Sequence, residues 1–199
     1  MRRDKMVRAY GKFEMRNGMK PFWREAQLVA LAMLGSAFLW LTPSANAASA
    51  PSSPQDRARF VSIAKKLEAA PLDPKLTPDR EWALGWLAEI PDIQVSICAA
   101  PLAKWDQPDY RYKSEILYQY VFSMGTFLIE NPGKADDRKS QYLAGVEGAL
   151  RAYRVILQEM PDAKSAGLDS LADMQARGDL NAFMVKATIQ CSAGKGQPT

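Results

Sequence analysis

Histidine is missing from all 199 residues of the chain. With it go the usual general base near neutral pH, the common serine and cysteine triads, and most catalytic metal shells. Cysteine is almost as scarce. Cys98 and Cys191 are the only two, and a pair of thiols without an imidazole does not complete an ordinary zinc shell. A basic surface is lacking too, although the formal charge is +4 from 26 Lys/Arg and 22 Asp/Glu. Residues 1–47 hold eight of the basic residues and three of the acidic ones, which leaves 18 against 19 and a net charge of −1 for the remainder. The electrostatic footprint of a phosphate-binding domain is therefore absent, and no nucleic-acid partner is expected. No metal, no cofactor and no catalytic residue is assigned.

What is present first is a leader pattern. Arg2, Arg3, Lys5, Arg8, Lys12, Arg16, Lys20 and Arg24 precede a nearly continuous apolar run over residues 26–41, and Pro43 then breaks the helix ahead of Ala45-Asn46-Ala47. This is the order of a secretory signal peptide, with cleavage expected after Ala47. A start at Met19 leaves a leader of more usual length. The competing reading is an uncleaved N-terminal anchor, since a bilayer span needs about 20 apolar residues. After cleavage no stable membrane insertion is expected. The periplasm or the exterior is the expected location, and in that oxidising route two cysteines favour a disulfide, Cys98 to Cys191.

The remaining 152 residues suit one compact domain. Residues 48–53 read as a flexible linker, 54–191 as a single helical domain and 192–199 as a disordered tail. Ser53-Pro54 can open a helix that buries Phe60, Ile63, Ala64 and Leu67 on one face. Thr77-Pro78-Asp79 repeats that start signal, with Trp82, Ala83, Trp86, Leu87 and Ile90 as a stripe that reads as core. Residues 92–98 fit either an alternating strand or a short helix. With no partner strand elsewhere, helix is preferred. Ser114 reads as the cap of a helix over 115–130 whose stretch 116–129 carries no charge, as a buried central helix would. Asp136-Asp137 opens a long helix to Met160, followed by helices over 166–177 and 180–190, the last capped by Asp179. The fold class is thus all-α, an irregular bundle of five to seven helices around 115–130. Ala149, Tyr153 and Pro161 have a spacing that resembles the second half of a tetratricopeptide repeat. The resemblance covers about 30 residues, its first helix is not matched, and no second copy follows.

Candidate chemistry is thin. Ser62-Ile-Ala-Lys65 has the S-x-x-K spacing that places Lys one turn from a nucleophile, but the companion motifs are missing and a solvated helix face explains it. Gly194-Lys195 lacks the rest of a phosphate loop. Asp136 with Asp137, and Glu81 with Glu89, are carboxylate pairs that suit helix starts and solvent faces. The best candidate ligand surface is Trp105, Tyr110 and Tyr112, aromatic rings with polar tips among Asp, Arg and Lys, of the kind that binds glycans or peptides. The bland alternative is that these rings cover the core beside a loop. The functional expectation is a non-enzymatic interaction or accessory protein of the cell envelope, bound to an envelope protein or glycan. Alternatives are a cell-wall hydrolase using paired carboxylates and an inhibitor or immunity protein.

Overall fold

The computed structural model describes residues 51–103 and 110–194. The leader, Trp105 and the end of the tail lie outside them. Among the described residues there are six α-helices and no strand: α1 (Pro54–Ala69), α2 (Thr77–Glu89), α3 (Lys113–Glu130), α4 (Arg138–Glu159), α5 (Ala166–Arg177) and α6 (Leu180–Ser192). The all-α bundle around a central helix is what the hydrophobic periodicity predicted. None of these helices is long and apolar enough to cross a membrane.

The helix starts are set by local polar chemistry, with three departures from expectation. Ser53 Oγ accepts from the Asp56 amide at 3.0 Å, and Asp137 Oδ1 accepts from the Ser140 amide at 3.0 Å, so both cap as their residue type prefers. Ser114 does not cap: α3 begins two residues earlier than expected, at Lys113, with Tyr112 at the cap position and no side-chain cap bond. Thr77 is likewise inside its helix, because a 3-10 turn over Pro74–Leu76 runs directly into α2. Asp179 occupies the cap position of α6, but its carboxylate accepts from Arg177 Nε at 3.1 Å and leaves the helix start uncapped. Gly178, at φ 80°, supplies the left-handed residue that ends α5.

Residues 92–98 are a correction, being neither helix nor strand. The start of the segment is held through the Asp92 side chain instead. Asp92 accepts from the Ser52 amide at 3.0 Å, the Ser52 hydroxyl at 2.9 Å and Arg57 at 2.6 Å. Burial alone would raise the Asp92 carboxyl, but these bonds bring it below its ordinary value. Ile93 and Cys98 are buried while Ile97 is exposed, a spacing of five that fits neither a helical stripe nor a strand.

Helix α3 is charge-free in its middle because it is covered on two sides. Phe122 packs with Phe60, Ile63, Ala64 and Leu67 of α1 and Ala83 of α2. On the other side Ile116, Tyr120 and Met124 join Tyr142, Val146, Ala149, Leu150 and Tyr153 of α4, and beyond them Leu168, Leu171 and Met184 of α5 and α6. The α3–α4 contact is close because of glycine. A Cβ on Gly145 would stand 2.7 Å from the Tyr120 ring, and one on Gly148 would overlap the Ser123 side chain. Trp82 and Trp86, expected in the core, are only half-buried. They stack on one another with centroids 5.7 Å apart, and Arg59 lies 3.8 Å above the Trp82 ring. The cation–π and stacking contacts close the α1–α2 edge where the apolar core stops.

Cys191, in the last turn of α6, is bonded to Cys98, with Cα atoms 6.0 Å apart. The bridge fits an oxidising compartment and fastens the C-terminal helix to the irregular segment.

Two predictions follow from the packing. Helix propensity alone favours alanine at any helical glycine, yet Gly85 has open space while Gly148 does not. Gly85→Ala is expected to raise stability by about 0.5–1 kcal/mol and Gly148→Ala to lower it by about 1–3 kcal/mol, both read by denaturant unfolding. For the disulfide, cysteines 93 apart in sequence close a long loop, for which chain entropy alone gives up to about 4.7 kcal/mol. Cys191→Ser should therefore lower Tm clearly and expose residues 180–192 to proteolysis before the rest of the domain, as limited digestion followed by mass spectrometry will show.

Candidate functional site

A concavity of about 660 Å³ lies between residues 110–112 and the turn that joins α4 to α5. Its walls are Tyr110, Arg111 and Tyr112 on one side and residues 159–166 on the other. Pro161 stops α4, and Ser165 starts α5 by accepting from the Leu168 amide at 3.5 Å, so the α5 N-terminus opens onto the cleft. The wall is mixed in character. Tyr112, Met160 and Pro161 are apolar, and around them stand two cations, Arg111 and Lys164, and two carboxylates, Glu159 and Asp162. All four charged residues are exposed, so the rim is electrically balanced.

Beneath the cleft is a hydrogen-bonded floor. Tyr153, 1 % exposed, donates its hydroxyl to Asp169 Oδ1 at 2.8 Å and accepts from the Ser165 amide at 2.8 Å. Burial pushes the Tyr153 phenol up to about 12, with the Ser165 amide opposing the rise and the Asp169 carboxylate adding to it. One side chain thus joins α4 to both the cap and the first turn of α5. Tyr110 stands against the same floor. It is 8 % exposed, its ring meets Tyr112 edge to face at 6.0 Å, and its hydroxyl has no partner among the described residues. Burial, then the nearby Tyr153 and Glu115, raise its phenol well above the ordinary value.

The aromatic residues singled out in the sequence therefore have different roles. Tyr110 belongs to the core and forms the back of the cleft, whereas Tyr112 is half-exposed and offers a ring to a ligand. Trp105 is outside the described residues. The opposite wall, residues 159–166, carried no signal in the sequence beyond a Pro-Asp turn.

Other candidates resolve into structural work. Ser62 and Lys65 sit on an exposed face of α1, with Lys65 Nζ 3.6 Å from Glu130. Asp137 is a helix cap, and its bonds to the Ser140 hydroxyl and amide hold its carboxyl below the usual range. Glu81 and Glu89 are exposed on α2 and line neither of the two larger cavities. Gly194 follows the end of α6, and Lys195 is outside the described residues. Among the described residues no group of three or more Cys, Asp or Glu side chains is placed to hold a metal ion. Compared with protein-family models, curated proteins and solved structures, the chain has no match in any of the three.

Removing the Tyr153 hydroxyl leaves the Ser165 amide without its acceptor while keeping the ring in place. Tyr153→Phe is expected to cost about 1–3 kcal/mol, and to speed amide exchange in the first turn of α5 more than in α3.

Proposed function

We propose that this protein is exported to the cell envelope and works there as a non-enzymatic interaction protein, holding a glycan or peptide segment in the cleft between residues 110–112 and 159–166. The cleft carries the reading. It holds about 660 Å³, which is in the range of small-molecule and cofactor sites. A half-exposed tyrosine beside apolar Met160 and Pro161, ringed by balanced charges, suits a ligand that is amphipathic and not strongly ionic. The leader pattern of residues 1–47 and the Cys98–Cys191 bridge support export to an oxidising compartment. Glu159 and Asp162 both face the cleft and are both open to solvent. That placement suits hydrogen bonds to a ligand better than acid–base chemistry shut away from water.

The test is a titration of isotopically labelled protein lacking residues 1–47 with soluble peptidoglycan fragments, and separately with envelope-derived peptides. Resonances of residues 110–112 and 159–166 are expected to shift together, and Tyr112→Ala to weaken binding by about tenfold, the effect of losing one aromatic anchor. Shifts confined to another face, or hydrolysis of the fragments during the titration, would sink this reading.

A further inference from the structure

We propose that a second, smaller groove, formed between α1, α3 and α4, is a binding site for a small organic ammonium group, such as the end of an aliphatic amine. The groove holds about 200 Å³ and is formed where α1, α3 and α4 meet. That is below the roughly 300 Å³ at which drug-sized pockets begin, so it suits a small amine or the tip of a larger one. Helical register builds it. Gln119, Ser123, Thr126 and Glu130 recur along one face of α3, Glu147 and Arg151 face them from α4, and Lys65 and Glu68 close it from α1.

The chemistry of the groove is unbalanced in one direction. Its cations are committed: Arg151 Nε and Nη2 donate to the two oxygens of Glu68 at 2.7 and 2.9 Å, and Lys65 Nζ is 3.6 Å from Glu130. The amide of Gln119 is committed on its donor side, since Nε2 donates to Glu68 Oε2 at 3.2 Å and to Ser123 Oγ at 3.1 Å. Because the Glu68 carboxylate can only accept, these bonds fix the amide orientation and leave Gln119 Oε1 as an acceptor. Gln119 is 3 % exposed, and both of its hydrogen bonds among the described residues are made by Nε2. Thr126 Oγ1 is buried without a partner. Glu147 is left as a carboxylate outside both ion pairs. With two cations against three carboxylates, the groove carries a net charge of −1, with Glu147 held only by its longer-range attraction to Arg151, and it has spare acceptors. An ammonium group brings three donors and one positive charge, which answers both. The Arg151 guanidinium does not oppose it strongly, because Glu68 neutralises it in a bidentate pair.

The probe is 1-aminopentane, titrated at neutral pH into labelled, oxidised protein lacking residues 1–47, with 1-pentanol as the neutral isostere. Saturable shifts at Gln119, Ser123, Thr126 and Glu147 are expected with the amine and not with the alcohol. Glu147→Gln, which keeps the shape of the side chain, should weaken the amine by about tenfold, the size of one charge-assisted bond, while leaving Tm close to that of the parent. Thr126→Val gives an independent check that removes only the hydroxyl, and should also weaken the amine. Equal shifts with amine and alcohol, no saturable shift in the groove, or unchanged affinity in Glu147→Gln would each overturn the proposal. The cleft between residues 110–112 and 159–166 should not respond to the amine, so this test stands apart from that of the main cleft.

Discussion

The close approach of α3 and α4 is the contact on which the rest of the domain is built. Gly145 sits under the Tyr120 ring and Gly148 against the Ser123 side chain, and no other residue leaves space for both. Bringing the two backbones together lets the long α4 cover one side of α3, while Phe122 on the other side is free to pack into α1. The price in helix propensity is about 1 kcal/mol for each glycine, and it is offset because the contact lets large side chains such as Tyr120, Tyr153 and Ile156 become fully buried. An α3 without charge along its middle is then no liability, since it has neighbours on both faces.

The periphery is fastened by polar and covalent links rather than by more core. The Arg151–Glu68 pair joins α4 to α1, the Asp92 cluster holds the irregular segment to the start of α1, and Cys98–Cys191 holds it to the end of α6. Each link spans 35 or more residues of sequence. Such links restrict the unfolded chain or orient elements that share little apolar surface. The smaller groove lies where the Arg151–Glu68 pair meets the closely packed α3–α4 contact.

Much of the candidate site was hidden from the sequence for a physical reason. Tyr110 and Tyr112 stand out as aromatic residues in a polar loop, but nothing in their spacing says that the first is buried and the second is half-exposed. Their opposite wall is a turn between α4 and α5, brought there by Tyr153 bonding Ser165 and Asp169. A tyrosine on a helical stripe looks like any other core residue. The smaller groove is hidden more completely: Gln119, Thr126 and Glu147 look like ordinary polar positions until three helices converge, and only then is the Thr126 hydroxyl buried without a partner.

Local patterns determined where the helices lie. Periodicity with Ser53, Asp137 and Gly178 at helix ends marked α1, α4 and α5, and an uncharged α3 announced a central position. Two cysteines read together with a leader pattern pointed to the disulfide, since only one pairing exists. Tertiary structure decided what local patterns leave degenerate. Residues 92–98 had apolar spacing compatible with either regular element, and the long-range bonds from Ser52 and Arg57 to Asp92 selected neither. It also decided whether Trp82 and Trp86 are core or edge, and which polar side chains share a cavity. The reason is the range of the forces involved. Capping, propensity and periodicity act within a few residues and can be read along the chain, whereas burial and the satisfaction of polar atoms depend on residues that approach only when the helices pack.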